Sequence, residues 1–187
     1  MAATRTYTKR LRAEGEQETR QRIVEAIMSL HEDVGPARTT VSGIAERAGV
    51  QRLTVYRHFP DDASMLRACS AHWAELHPLP LPPIDGAQAG GALRALYAWY
   101  RQNAAMLSNV CRDAQAMPLV KTTLQGMEDA LDELAARIDR GYGRRSADRR
   151  RTIRHAVAFA TWQSLSALTR DDRKAAELAL KWIEACA

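Results

Sequence analysis

One short segment, residues 41–60, constrains the fold more than any other part of the sequence. Gly49 supplies the positive φ that a sharp turn between two helices needs, a conformation that is costly for residues with a Cβ. Ala45 is small where a second helix must cross closely. We therefore predict a helix-turn-helix, with its wedge filled by Ile44, Ala48, Val50 and Val55.

Helical patterns flank this corner on both sides. Before it, apolar residues recur with helical spacing over 23–34 and stop at Gly35-Pro36. Thr40 stands where the N-cap of the second helix belongs. The third helix is predicted from Gln51 to Phe59, and Asp61 can cap a fourth helix.

The rest of the chain also reads as helical. A stretch rich in Pro and Gly over 77–90 predicts a connection, and helices are expected near 91–113, 118–142, 147–169 and 172–186. The predicted fold class is all-α: an N-terminal three-helix helix-turn-helix domain followed by a C-terminal helical domain. The expected boundaries are a basic flexible arm at 1–18, the first domain at 19–76, the connection at 77–90 and the second domain at 91–187.

Composition narrows the classes of partner and function. A net charge of +5 favours a polyanionic partner without naming one. The sequence has no apolar run of about twenty residues and no N-terminal signal core, so we expect a cytoplasmic protein with no membrane partner. Cys69, Cys111 and Cys186 are widely spaced and predict free thiols. No phosphate-binding loop, metal-ligand cluster or nucleophile–base spacing stands out, so we expect no enzyme, no catalytic residues, no metal and no cofactor.

The outer face of the third helix carries long polar side chains. Gln51, Arg52 and Thr54 lie at its N-terminal end, free to meet base edges in a DNA major groove. Several segments closely resemble the TetR family of transcriptional regulators, and the likeness covers about residues 19–75. These segments are Thr39-Thr40-Val41, Ile44-Ala45, Ala48-Gly49-Val50 and Thr54-Val55-Tyr56-Arg57-His58-Phe59-Pro60.

The resemblance assigns roles to individual residues. It implies that Thr40, Tyr56 and His58 contact or orient the phosphate backbone and that Gln51 and Arg52 read bases. From the residues alone, Tyr56 could instead pack against the first helix, and His58 could end the third helix without binding anything. The full candidate DNA-binding set is Thr40, Ser42, Gln51, Arg52, Thr54, Tyr56, Arg57 and His58.

Three positions depart from the family pattern. His31 replaces a large apolar residue and is interpreted as a half-buried histidine. Leu53 replaces a small residue or proline, and it either adds packing or alters how the third helix begins. Asp61-Asp62 replaces a pattern that usually offers a Lys to phosphate. Because acidic side chains repel DNA, we expect that phosphate contact to be missing and the basic arm to compensate through Arg5, Lys9, Arg10 and Arg12.

Aromatic and Met residues concentrate on helical faces of the C-terminal domain. Within the predicted helix 147–169, His155, Phe159 and Trp162 share one face. Such a stripe is usually ordinary core, and His155 could equally be a core histidine bonded to a carbonyl. The resemblance implies a small hydrophobic effector bound among these helices, with candidate contacts Trp99, Tyr100, Asn103, Met127, His155, Phe159 and Trp162.

The same helix is apolar almost all round, so a second surface must cover its other side. Together with the last helix, this predicts a two-fold four-helix interface of a homodimer, as the resemblance also implies. The residues concerned are Ala156, Ala160, Leu165, Leu168, Leu178, Ala179, Trp182 and Ile183. A basic cluster, interpreted as a solvated surface or as a further anion contact, comprises Arg137, Arg140, Arg144, Arg145, Arg149, Arg150, Arg151 and Arg154.

The sequence therefore predicts a ligand-responsive transcriptional regulator that binds double-stranded, palindromic operator DNA. The expected mechanism is repression that ends when the effector moves the fourth helix and changes the separation of the two recognition helices. The alternative is an effector-independent dimeric regulator, in which the C-terminal domain only dimerises.

Overall fold

The computed structural model describes residues 2–81, 89–143 and 146–186, with side chains from residue 11 onward. Within these ranges the elements are helices and there is no strand, which confirms the predicted all-α class. The chain divides into two compact units. The first contains the residues up to Leu76 together with Ser108–Thr123, and the second contains His77–Leu107 together with the residues from Leu124 onward.

The first unit is built on the helix-turn-helix. Its elements are α1 (Ala2–Asp33), a 3-10 turn (Pro36–Arg38), α2 (Val41–Ala48), α3 (Arg52–His58) and α4 (Asp62–Leu76). The last residues of α6 (Ala104–Ala114) and the short α7 (Pro118–Thr123) also belong to it. Its core joins Ile23 and Ile27 of α1 to Ile44 of α2, Val55 of α3 and Met65 of α4.

Helix α1 is longer than predicted. Its backbone is helical from Ala2, so the flexible arm expected over 1–18 is corrected to a helical extension. Residues 11–18 are exposed and consist mostly of Arg, Ala, Glu and Gln, whose helix propensity lets the helix continue without a packing partner. The side chain of Arg12 is exposed, whereas those of Arg5, Lys9 and Arg10 lie outside the described residues.

The second unit contains shorter helices than the sequence predicted. They are α5 (Ala89–Gln102), the start of α6, α8 (Gln125–Gly141), α9 (Ala147–Ala156), α10 (Phe159–Thr169) and α11 (Asp172–Glu184). The predicted helices 91–113, 118–142 and 147–169 are therefore each two helices, and residues 108–123 pack with the first unit rather than within a domain over 91–187. Residues 82–88 of the predicted connection lie outside the described ranges.

Side-chain hydrogen bonds explain two of these breaks. Asn103, which separates α5 from α6, is buried and donates from Nδ2 to the Trp99 carbonyl at 2.8 Å. Where α9 ends, the Tyr97 hydroxyl donates to the Ala156 carbonyl at 2.9 Å and the Tyr100 hydroxyl donates to the Val157 carbonyl at 2.6 Å. These hydroxyls satisfy carbonyls that a continuing helix would otherwise use. None of the described helices is both long and apolar enough to cross a bilayer.

Candidate nucleic-acid interface

Backbone geometry fixes the corner between α2 and α3. Thr40 caps α2, because its Oγ1 accepts the Gly43 N–H at 3.1 Å. Gly49 ends α2 in the left-handed region, at φ 66°, and the Val50 N–H reaches back to the Ala45 carbonyl at 3.0 Å. A Cβ on Gly49 would meet only Nη1 of Arg22, at an ordinary contact distance of 4.0 Å, so the backbone angle, rather than crowding, requires glycine here.

The inner side of the corner is closed by apolar side chains. Ile44, Ala45, Ala48 and Val55 are buried, as the wedge prediction required, whereas Val50 is only half-buried and packs at the edge of this core. Because Val55 is anchored inward, the opposite face of α3 must point outward. The sequence-predicted corner and its orientation therefore agree with the structure.

The outward face of α3 gathers most of the candidate DNA-binding residues. Gln51, Arg52, Tyr56 and Arg57 are exposed, while Thr54 is half-buried. Gln51 occupies the N-cap position of α3, yet its side chain makes no capping hydrogen bond. Within the described part of the chain, no hydrogen bond or ion pair engages the guanidinium groups on this face. The structure thus presents several hydrogen-bond donors on one short helix, available to an acceptor outside the chain.

The candidate phosphate contacts are placed differently from one another. Tyr56 is 44% exposed, which leaves its hydroxyl accessible and argues against simple packing onto α1. Ser42 is exposed in the first turn of α2, and His58 is half-buried at the end of α3. Thr40 already uses Oγ1 as the α2 cap, so only its hydroxyl hydrogen is available to a phosphate.

The acidic pair before α4 has a local structural role. The Asp61 carboxylate accepts the Ser64 N–H at 2.6 Å, and the Ser64 hydroxyl donates back to the Asp61 carbonyl at 2.7 Å. Hydrogen bonding to the Ser64 backbone and hydroxyl holds the pKa of Asp61 below its ordinary value. One of the two acids that replace the expected Lys therefore caps α4.

A polar cluster on α6, which the sequence did not predict, binds the end of α1 and the turn that leads to α2. We call Asn109, Arg112 and Asp113 the α6 clamp. Asn109 Nδ2 donates to two carbonyls in the last turn of α1, at 3.2 and 2.7 Å, and Arg112 Nη2 donates to the Val34 carbonyl at 3.0 Å. Asp113 accepts the Ala37 N–H at 2.9 Å and the Arg112 Nε–H at 2.8 Å. The clamp thus satisfies the orphan carbonyls at the end of α1 and fixes the turn before the helix-turn-helix.

His31 belongs to the core of the first unit. It is 6% exposed, so the half-buried position expected from sequence is corrected to a buried one. Its Nδ1 lies 3.5 Å from the Cys69 sulfur. Burial lowers the pKa of His31 to about 4, against the opposing influence of the Asp113 carboxylate, and burial raises the pKa of the Cys69 thiol to about 12. Both groups are therefore neutral near pH 7.

The effector-contact candidates of the second unit form a packed aromatic cluster. The Tyr100 ring centroid lies 5.6 Å from that of Trp99, 5.2 Å from that of Phe159 and 5.7 Å from that of Trp162. All four residues are buried. This ring-on-ring arrangement is that of a close-packed core.

The remaining effector candidates do not belong to the aromatic cluster. His155 is exposed, because the break between α9 and α10 takes it off the face that carries Phe159 and Trp162. The predicted common face of these three residues is therefore wrong. Met127 is half-buried on α8, and the Asn103 amide is engaged with the backbone.

Some of the residues expected at the dimer surface are exposed apolar residues. Leu168 is 79% exposed on α10, and Leu178 and Trp182 are 36% and 38% exposed on α11. Ala160 and Ala167 are exposed on the same face of α10 as Leu168. By contrast, four residues assigned to the interface are buried within the chain and cannot form its contact surface: Ala156, Leu165, Ala179 and Ile183.

The predicted basic cluster is largely neutralised by nearby acids. Glu133 accepts from Arg137 and Arg140, and Asp139 accepts from Arg149 and Arg150. Arg151 pairs with Asp148, and Arg154 pairs with Glu128 and Asp132. Arg149 is buried, so that part of the cluster belongs to the interior rather than to a solvated surface. Arg144 and Arg145 lie outside the described ranges.

Comparison with known proteins places the helix-turn-helix in a family. Residues 23–69 match the family model described as bacterial regulatory proteins, tetR family. Through these residues the helix-turn-helix segment of the chain is similar to the TetR family. The match covers α2 and α3 completely and ends within α4.

Two curated relatives share this segment. The HTH-type transcriptional regulator Rv2250c of Mycobacterium tuberculosis is 41% identical over 70 residues, which are 37% of this chain and 36% of the relative. The HTH-type transcriptional regulator TtgR of Pseudomonas putida is 43% identical over 61 residues, which are 33% of this chain and 29% of the relative. The alignments thus span about a third of the relatives' length. Both relatives are named as transcriptional regulators.

The likeness to solved structures extends over both units of the chain. A tetR-family transcriptional regulator from Streptomyces coelicolor matches with a TM-score of 0.58 at 20% identity, covering 89% of this chain and 78% of that one. The multidrug binding protein EbrR, solved in complex with imidazole, matches with a TM-score of 0.58 at 20% identity, covering 87% and 88%. At this identity the likeness shows a shared fold.

Proposed function

We propose that this protein is a DNA-binding transcriptional regulator whose helix α3 enters the major groove. The observation that carries the proposal is the outward face of α3, on which Gln51, Arg52 and Arg57 stand exposed above a corner fixed by Gly49. Arg and Gln can each make two hydrogen bonds to a purine edge, so side chains of this type can distinguish base pairs. The similarity of residues 23–69 to the TetR family supports the same conclusion.

The proposed division of labour follows from exposure and chemistry. Gln51 and Arg52 read bases, with Thr54 and Arg57 beside them, while Thr40, Ser42, Tyr56 and His58 contact or orient phosphates. Phosphate contacts set the register of the protein on DNA, and base contacts supply the sequence preference. Replacing Tyr56 by Phe should therefore weaken binding to all duplexes by a similar factor.

Selection from a pool of random duplexes tests the proposal. The full-length protein should enrich one sequence, and fluorescence anisotropy should show that its affinity for that duplex falls steeply with salt, since bound phosphates release counterions. Failure to enrich any sequence would contradict the proposal. So would equal affinity for the enriched duplex and a shuffled one.

We also propose that the regulator acts as a homodimer and binds an inverted repeat. The exposed apolar face formed by Leu168, Leu178 and Trp182 is the surface that a second copy would cover. Sedimentation at micromolar concentration should give a dimer, and Leu168→Glu should give a monomer that binds the repeat weakly. Leu119→Glu, which places the same charge on an exposed residue of α7, serves as the control and should leave the dimer intact.

A small hydrophobic effector that releases the DNA is the finer part of the proposal. The fold shared with EbrR, whose description names multidrug binding, supports a ligand site in the second unit. Binding there would require the rings around Tyr100 to separate. Adding cyclohexanol or 1-hexanol, which do not absorb where tryptophan is excited, should then change tryptophan fluorescence and weaken DNA binding together, as thermodynamic coupling demands.

The close packing of the aromatic cluster favours a second candidate function. If its rings serve only as core, the protein is a dimeric DNA-binding regulator without an effector. A broad panel of neutral aromatic compounds that leaves both tryptophan fluorescence and DNA affinity unchanged would select this second function over the first.

A further inference from the structure

The recognition helix carries one large apolar side chain where its neighbours are polar. Leu53 is 74% exposed, and among the large hydrophobic residues of the described chain only Leu168 is more exposed. Leu53 lies beside Arg52 and one helical turn before Tyr56 and Arg57, all of which are exposed. The residue is therefore part of the same outward face as the hydrogen-bond donors.

The fold of this chain does not explain a leucine at this position. The core side of α3 is occupied by Val55, which is fully buried, and the corner is closed without Leu53. An exposed leucine leaves most of its apolar surface in water, where it contributes nothing to folding. Added packing, one of the roles open to Leu53, is thus excluded by its exposure.

The chemistry of the major groove offers one apolar partner for such a side chain. Each base pair presents hydrogen-bond donors and acceptors there, and thymine alone adds a methyl group, at C5. A leucine carried next to Arg52 on a groove-facing helix can bury apolar surface against this methyl. Such contact removes apolar surface of both groups from water.

We propose that Leu53 is a specificity-determining residue that contacts the C5-methyl group of a thymine in each bound half-site. The inference rests on the proposed function, because it requires α3 to lie in the major groove. It assigns Leu53 a preference for T·A at one position beside the base pairs read by polar side chains. The discrimination comes from a single methyl group and needs no hydrogen bond.

Substitution of thymine by deoxyuridine tests this contact, because it removes the methyl and leaves every hydrogen-bonding group in place. The probe is the duplex selected by the full-length wild-type protein, synthesised with each thymine replaced in turn. Wild-type affinity should fall about fourfold at one thymine per half-site, the effect of losing one buried methyl. Leu53→Ala should bind the thymine and deoxyuridine versions of that position equally well.

A matched variant and a stability measurement complete the test. Leu76→Ala removes an exposed leucine from the end of α4 and should keep the wild-type preference for thymine. Because Leu53 is exposed, Leu53→Ala should unfold at the wild-type temperature, so loss of the preference would not reflect misfolding.

The outcomes separate this inference from the proposed function. If the wild-type protein binds its duplex but no single replacement of thymine lowers the affinity, Leu53 has no methyl contact and the inference is overturned, while the regulator function stands. The same holds if Leu53→Ala retains the wild-type pattern. If no duplex is enriched by the selection, both the proposed function and this inference fail.

Discussion

The α6 clamp should contribute measurably to the stability of the first unit, and Asp113→Asn is the sharpest way to weaken it. The Asp113 side chain is 5% exposed and accepts from both Ala37 and Arg112. The substitution keeps the volume of the side chain but removes its charge. The new amide N–H group faces one of the two donors, so that hydrogen bond is lost. Hydrogen bonds to a charged group are worth about 1.5–3 kcal/mol, so we expect a loss of about 2 kcal/mol in the free energy of unfolding.

Hydrogen exchange can localise this loss. Peptides covering residues 30–48 should exchange about thirtyfold faster in Asp113→Asn, the factor that corresponds to about 2 kcal/mol. Peptides from α8 should exchange at the wild-type rate. Asp129→Asn is the matched control, because Asp129 is exposed and, among the described residues, accepts only from Gln125, one turn earlier on the same helix.

Two results would refute this reasoning. If Asp113→Asn exchanged like the wild-type protein in residues 30–48, the clamp would not hold the turn. If the Asp129→Asn control were equally destabilised, the effect would belong to any lost carboxylate.

The pKa of Asp113 predicts how the strength of the clamp depends on pH. Burial alone would raise the pKa of Asp113, but hydrogen bonds from Arg112 and Ala37 hold it below its ordinary value. The clamp should therefore stabilise the unit above about pH 4 and lose strength as the pH falls further.

Three further predictions concern stability. Gly35→Ala should lower the free energy of unfolding by about 2 kcal/mol or more, because Gly35 has a φ of 91° and a Cβ would overlap the clamp. Thermal melts test this, and Gly126→Ala, in open space on α8, should be neutral or stabilising in the same melts. Burial lowers the pKa of His31 to about 4, so the unfolded chain binds a proton there more readily than the folded chain does. The protein should therefore lose up to about 3 kcal/mol of stability as the pH falls from about 6.5 to 4. Urea titrations of His31→Leu should lack this loss. Asp172→Asn should destabilise the second unit by about 1–2 kcal/mol in urea titrations. A hydrogen bond from Arg101, together with those from Ser166 and Trp162, lowers the pKa of Asp172 to about 2. An unchanged midpoint of the urea titration would contradict this prediction.

The sequence predicted the corner well because its backbone conformation is set by local interactions. Gly49 needs its positive φ whatever surrounds it, and Thr40 caps the helix that starts at the next residue. The outward placement of Gln51 and Arg52 follows from the inward placement of Val55 and the helical period. These features depend on neighbours within about one helical turn, so periodicity and capping rules are sufficient to find them.

Features that depend on distant residues were not predictable in the same way. The break after α9 depends on hydroxyl groups of Tyr97 and Tyr100, more than fifty residues earlier in the sequence. Assuming one continuous helix placed His155 on the aromatic face, and that error propagated to the expected effector site. The α6 clamp was missed for the same reason, because Asp113 and Ala37 are 76 positions apart. A signal was nevertheless present: Asn109, Arg112 and Asp113 are polar residues three to four positions apart, and thus on one face of the predicted helix.

The central claim, that the outward face of α3 reads DNA, is tested most directly by the affinity of the double variant Gln51→Ala/Arg52→Ala for the selected duplex. Each good pairing with a base is worth about 1–3 kcal/mol, so the double variant should bind at least about thirtyfold more weakly. Arg173→Ala, which removes an equal charge from an exposed position in the second unit, should bind nearly as the wild-type protein does. A double variant that unfolds at the wild-type temperature and binds the duplex with wild-type affinity would contradict the claim.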